Sequence, residues 1–124
     1  VHRDIKPANI MLNRRGGECD VVKVLDFGLV RSLEDDANGE NNKAMSGTPM
    51  YMSPEAIQNP KSIDVRSDIY SLGAVGYFLL TGHSLFQATS LGELFQHHID
   101  SLPMPPSERI GMAIDPQLEG AIMA

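Results

Sequence analysis

The sequence predicts a mainly α-helical domain with short β-strands near its N-terminus. Three observations carry this expectation. Residues 68–80 contain no proline and are dominated by Leu72, Ala74, Val75, Tyr77, Phe78, Leu79 and Leu80, the pattern of a helix buried in a core. Leu91, Leu94, Phe95 and Ile99 recur at helical spacing on a second stretch. Two apolar runs, Ile10-Met11-Leu12 and Val21-Val22-Lys23-Val24-Leu25, flank the turn signal Gly16-Gly17 and read as two short strands joined by a turn.

The elements follow in order. Residues 1–12 open with the polar loop His2-Arg3-Asp4-Ile5-Lys6-Pro7-Ala8-Asn9, which runs into the first apolar run. The second, β-branched run ends at Asp26. Asn9 and Asp26 are then expected to project from neighbouring strand ends toward one place. Residues 26–55 form a segment rich in hydroxyls: Ser32, Ser46, Thr48, Tyr51 and Ser53. Its middle, residues 34–42, is acidic and polar, with too little apolar surface to order itself.

Ser67 is the expected N-cap of a helix over about 67–81, and Gly82 its stop. At that length it is too short to span a membrane. An amphipathic helix is expected over about 90–99. His97 and His98 lie on it, but no second ligand cluster accompanies them, so no metal site is expected there. Pro103, Pro105 and Pro106 mark a loop. Asp115-Pro116 reads as an N-cap followed by proline at the first helical position, opening a last helix over 115–124.

Composition narrows the function. The 124 residues carry a net charge of −6, which argues against nucleic-acid binding. The single cysteine, Cys19, allows no internal disulfide and is expected as a solvent-near thiol in a loop. The sequence carries no signal peptide, membrane segment, repeat or low-complexity tract, so a cytoplasmic, soluble piece is expected.

The sharpest signal is an ordered set of motifs. His2-Arg3-Asp4-Ile5-Lys6-Pro7-Ala8-Asn9 is followed by Asp26-Phe27-Gly28, then Gly47-Thr48-Pro49 leading into Ser53-Pro54-Glu55. An Asp-Phe-Gly tripeptide alone marks turns in any fold. The whole set in this order, with the strand pattern between its parts, is specific. It resembles the C-terminal lobe of a eukaryotic-type (Hanks-type) serine/threonine protein kinase domain, across essentially the whole chain. Lys6-Pro7 looks like the Ser/Thr class. The stretches Gly47–Ala56 and Asp64–Gly73 look most like bacterial members.

The resemblance implies a set of roles. Asp4 accepts the proton of the acceptor hydroxyl, Lys6 meets a phosphate oxygen, and Asn9 and Asp26 hold Mg²⁺ (or Mn²⁺) on ATP. Lys6, Asn9 and Asp26 are thus the nucleotide-binding residues, and Asp4, Lys6 and Asn9 the catalytic ones. Arg3 pairs with a phosphate on the activation segment, residues 26–55. Ser46 is the better phosphorylation candidate, while Thr48 bonds to Asp4 and Lys6. His2, Phe27, Gly28, Glu55 and Asp68 are structural members of the motifs. Asp68 accepts bonds from backbone amides of the catalytic loop, and Glu55 pairs with a downstream Arg.

The resemblance also implies what the chain lacks. The Gly-rich loop, strand Lys, helix Glu and adenine hinge would lie upstream of His2, and the Arg partner of Glu55 beyond Ala124. The expected fold is therefore a mainly α lobe of an α+β fold, incomplete at both ends. The expected function is transfer of the γ-phosphoryl group of ATP to Ser/Thr hydroxyls of protein substrates. The alternative is a catalytically incompetent truncated lobe that binds partners or regulates a full kinase. Any membrane anchor of the parent would lie outside this chain.

Overall fold

The computed structural model describes residues 1–25 and 48–124. It is mainly helical with one antiparallel two-stranded sheet. After the N-terminal loop, a 3-10 turn at Pro7–Asn9 leads into β1 (Ile10–Arg15), which pairs with β2 (Glu18–Val24) from Ile10 opposite Val24 to Arg15 opposite Glu18. The strands extend further toward the turn than the apolar runs suggest. Gly16 and Gly17 close the hairpin with φ of 61° and 88°, the left-handed pair that a two-residue hairpin turn needs. The register shifts between Asn13 and Arg15, where Cys19 and Asp20 on β2 stand against Arg14 alone. Asp20 absorbs the extra residue at φ 62°, a conformation Asp tolerates. Cys19 is exposed, as expected, but lies in this strand and not in a loop.

The helices are α1 (Pro54–Gln58), α2 (Val65–Thr81), α3 (Leu91–Asp100), α4 (Pro106–Ile110) and α5 (Pro116–Met123). Further 3-10 turns lie at Pro49–Tyr51 and Pro60–Ser62. The N-cap of α2 is Asp64 and not Ser67: its carboxylate accepts the Arg66 amide at 2.8 Å, so the helix starts before Ser67. That leaves the Ser67 hydroxyl to bond elsewhere. Gly82 ends α2 at φ 70°, donating its amide to the Phe78 carbonyl at 2.8 Å. Asp115 caps α5 by accepting the Gln117 and Leu118 amides, as its place before Pro116 predicts. Pro106, expected in a loop, instead opens α4, since proline fits the first turn of a helix. No helix among the described residues is long and apolar enough to cross a membrane.

Among the described residues, Met52, Ala56, Ala74, Val75, Tyr77 and Pro106 are the buried apolar ones. Helix α2 is buried on one side and exposed on another: its apolar pattern predicts a core helix, and the lack of its usual packing helices predicts exposed apolar surface. It buries Ala74, Val75 and Tyr77, while Val65, Ile69, Leu72 and Leu79 at helical spacing stay exposed. Among the described residues it packs most closely against α4, α5 and the turn at Pro49–Tyr51. Gly73 and Gly76 let α5 approach closely; a Cβ on Gly73 would stand 3.3 Å from the Ile122 carbonyl oxygen. The Tyr77 hydroxyl donates to the Met104 carbonyl at 2.7 Å and pins the proline-rich connection to α2. On α3, Leu91 is exposed, and the buried residue is His98.

Candidate active site

The site grows from the N-terminal loop, which α2 holds by a single side chain. Asp68, in the first turn of α2, accepts the His2 amide at 2.7 Å on Oδ2 and the Arg3 amide at 2.9 Å on Oδ1. One carboxylate thus satisfies two consecutive amides 65 and 66 residues away in sequence. Arg3 has φ 70°, a left-handed conformation that costs a non-glycine residue about 1–2 kcal/mol. Charge-assisted bonds to both amides offset that cost.

His2 ties the same loop to the sheet. Its Nδ1 accepts the Asp4 amide at 3.2 Å, so the ring hydrogen sits on Nε2, which donates to the Leu25 carbonyl at 2.7 Å. The Leu25 amide in turn donates to the Asn9 carbonyl at 2.8 Å. Leu25 is therefore clasped from both ends of the loop, and it is the residue before Asp26.

Asp4 lies between these anchors. Its Oδ2 receives the Asn9 side-chain amide at 3.2 Å and faces the Lys6 ammonium at 3.4 Å. Asn9 is buried, and the same amide nitrogen also donates to the Asp4 carbonyl at 2.8 Å. The other carboxylate oxygen, Oδ1, is buried with no hydrogen-bond partner among the described residues. A buried, unpartnered acceptor is costly and calls for a functional account. Asp4 also lines a cavity of about 20 Å³ together with Arg3, Thr48, Tyr51, Ser67 and Asp68. That is room for one water-sized group.

The structure thus brings His2, Arg3, Asp4, Lys6, Asn9 and Asp68 together. Thr48 borders the cavity, but its side chain makes no bond to Asp4 or Lys6. The reason is local: Thr48 is extended ahead of the Pro49–Tyr51 turn, and its carbonyl is used by the Tyr51 amide at 3.0 Å. Asp26, Phe27, Gly28 and Ser46 lie outside the described residues. Glu55 accepts the Ser67 hydroxyl at 2.7 Å. Burial works to raise its carboxyl, but the bonds from Ser67, from its own amide and from Ser53 outweigh this and hold it below the usual range. No cation pairs with Glu55 among the described residues, so hydroxyls do the stabilising. The motifs did not point to Ser67 in this role; its signal is the Asp64 cap three residues earlier, which moves the helix start and frees the hydroxyl. Nor did they point to His98, although it extends the apolar stripe of Leu91, Leu94 and Phe95.

With this geometry in view, the comparisons with known proteins are decisive. The protein kinase domain family matches residues 1–118. This chain belongs to that family. It is 44% identical over 111 residues to a probable serine/threonine-protein kinase of Corynebacterium efficiens, covering 89% of this chain and 16% of that protein. It is 41% identical over 116 residues to the serine/threonine-protein kinase PknB of Mycobacterium leprae, covering 93% of this chain and 18% of the relative. It is 43% identical over 110 residues to PknB of Mycobacterium tuberculosis, covering 88% and 17%. These relatives are bacterial, as the stretch around Ser53-Pro54-Glu55 suggests. The chain spans less than a fifth of their length.

Proposed function

We propose that this kinase-domain chain carries the phosphoryl-acceptor side of an ATP-dependent serine/threonine kinase, with Asp4 as the residue that takes the acceptor proton. The observation that carries this reading is the division of labour on Asp4: Oδ2 is held by Asn9 and Lys6, and Oδ1 is buried without a partner beside a hydroxyl-sized cavity. A Ser or Thr hydroxyl placed there donates its hydrogen to Oδ1 as its oxygen attacks the γ-phosphorus. The new O–P bond forms, the bond to the bridging oxygen breaks, ADP leaves, and the proton ends on Asp4. Lys6, tethered to the far side of the same carboxylate, lies in reach of a transferring phosphate oxygen.

Asn9 and Asp26 would hold the divalent ion. Support for Asn9 comes from its geometry: its amide nitrogen is committed to Asp4, which turns the amide oxygen the other way, and its carbonyl binds the residue before Asp26. Mg²⁺ or Mn²⁺ bound there would neutralise charge on the phosphates of ATP. Arg3, with a pinned backbone and an exposed side chain, suits a phosphate on the segment that contains Ser46 and Thr48. ATP as donor and a protein as acceptor place this chemistry in the cytoplasm, whether or not the whole protein is anchored elsewhere.

The test is Asp4→Asn in the complete protein, with phosphate transfer from ATP to a Ser/Thr peptide as readout. The near-isosteric amide keeps the bulk and removes the base. A fall of roughly 10²–10⁴-fold with unchanged thermal unfolding is expected. Transfer within a few-fold of the unaltered protein would remove Asp4 from the proton-accepting role.

A further inference from the structure

One turn of α2 carries two side chains that reach different parts of the molecule. Asp68 holds the amides of His2 and Arg3, beside Asp4. Ser71, three residues on and so on the same face of the helix, donates its hydroxyl to the Tyr51 carbonyl at 2.6 Å. Both residues line the cavity of about 20 Å³ at Asp4, together with Thr48 and Tyr51.

The Ser71 hydroxyl has one hydrogen and two carbonyls within reach. The second is that of Ser67, at 3.0 Å, one turn back in the same helix. That carbonyl already serves the helix ladder, so a second donor adds little to it. The Tyr51 carbonyl is closer and has no other donor among the described residues. It stands where the chain leaves the Pro49–Tyr51 turn and enters the core at Met52 and Ser53, which are 5% and 1% exposed. A carbonyl left unpaired at the edge of the core is costly, so the hydrogen belongs to Tyr51.

These contacts hang both sides of the cavity on α2. Asp68 fixes the side that carries Asp4, and Ser71 fixes the side formed by Thr48 and Tyr51. We propose that Ser71 is a positioning residue for the phosphoryl acceptor: its bond to the Tyr51 carbonyl sets the spacing between the Thr48–Tyr51 wall and Asp4. This rests on the kinase reading above. The acceptor hydroxyl has to pass between that wall and Asp4, so a displaced wall weakens acceptor binding more than nucleotide binding.

The experiment compares the complete protein with its Ser71→Ala and Ser71→Thr variants. Alanine removes the hydroxyl and is the better helix former, so α2 itself keeps its order. Threonine returns a hydroxyl on the same carbon. Three readouts are taken: KM for a Ser/Thr peptide and for ATP, the unfolding temperature, and hydrogen exchange at the Tyr51 and Met52 amides, whose bonds to the Thr48 and Pro49 carbonyls close the turn. Ser71→Ala should raise the peptide KM about five-fold, move the KM for ATP less than about two-fold, and speed exchange about ten-fold. Ser71→Thr should restore most of both. An unchanged peptide KM or unchanged exchange in Ser71→Ala overturns the proposal. So does a parallel rise in both KM values with a lowered unfolding temperature, which marks a general structural role. A Ser71→Thr variant that unfolds at the unaltered temperature yet behaves like Ser71→Ala overturns it too, because the hydroxyl then does not set the wall. If the unaltered protein transfers no phosphate while exchange still quickens in Ser71→Ala, the kinase reading falls and Ser71 stands as the anchor of the turn.

Discussion

The loop His2–Asn9 and the helices α2–α5 are held by different interactions. The loop is anchored to the rest of the molecule by polar bonds to distant residues: His2 and Arg3 to Asp68, and the His2 ring to Leu25. Backbone strain at Arg3 and an unpartnered oxygen on Asp4 are retained there. In the helices, the ends are fixed by local bonds. Asp64, Ser90 and Asp115 cap their own helices within three residues, and Gly82 closes α2. The contrast teaches where stability and function separate. Regular elements meet local rules, whereas the loop departs from them and depends on a regular element, through Asp68, to stay in place.

The largest expected effect tests that dependence. Asp68→Ala removes the acceptor of two amides at once and leaves Arg3 at φ 70° without support. A loss of about 4 kcal/mol is expected, from two bonds to a charged acceptor at about 1.5–3 kcal/mol each, partly regained by water. Asp64→Ala, which removes an ordinary N-cap, should cost about 1 kcal/mol. Urea unfolding of the complete protein measures both. Equal losses would mean that Asp68 serves α2 as a first-turn carboxylate and no more.

A smaller effect separates the buried imidazole from the surface. His98 is held neutral down to about 4 in the folded protein, against an ordinary value of 6.5. Between those values the unfolded chain binds more protons, so stability is intact above pH 6.5 and falls as pH drops toward 4. The loss should be on the order of 2–3 kcal/mol. In His98→Phe this window should be flat. Glu55 acts lower and with a carboxylate's sign: its depressed carboxyl contributes stability above about pH 4.5 that is lost only as pH falls through its folded value. Unfolding free energies at pH 7, 5.5 and 4.5 for both proteins check this. A variant with the same slope as the unaltered protein would show that His98 does not titrate on unfolding.

Most of the helical half was legible because its signals are local. Asp115-Pro116 and Gly82 encode a cap and a stop within a few residues, as Gly16-Gly17 encodes the hairpin turn. The site was legible differently: the motif order named Asp4, Lys6, Asn9 and Asp68, but not how they are held. Ser67 shows the limit. It scores as a cap by residue type, yet Asp64 captures the helix start, and Ser67 binds Glu55 instead. Pro106 shows another, since proline marks either a loop or the first turn of a helix until the following residues are placed. That α2 exposes apolar surface is expected from the helices missing around it, but an all-round apolar pattern does not say which side is covered.

The smallest expected effect probes the contact between α2 and α5. A methyl at Gly73 would meet the Ile122 carbonyl oxygen at 3.3 Å, while one at Gly76 would meet the Ile122 side chain at 3.2 and 3.3 Å. Alanine gains about 0.8–1 kcal/mol of helix propensity at either site. At Gly76 the Ile122 side chain can rotate aside, so Gly76→Ala should be neutral or slightly stabilising. At Gly73 the obstacle is backbone, and α5 itself has to move. Gly73→Ala should therefore destabilise by up to about 1 kcal/mol despite the propensity gain. Thermal unfolding of the two variants, read side by side, decides it. If both stabilise equally, α5 rests loosely on α2, and the helical half owes its order to caps more than to packing.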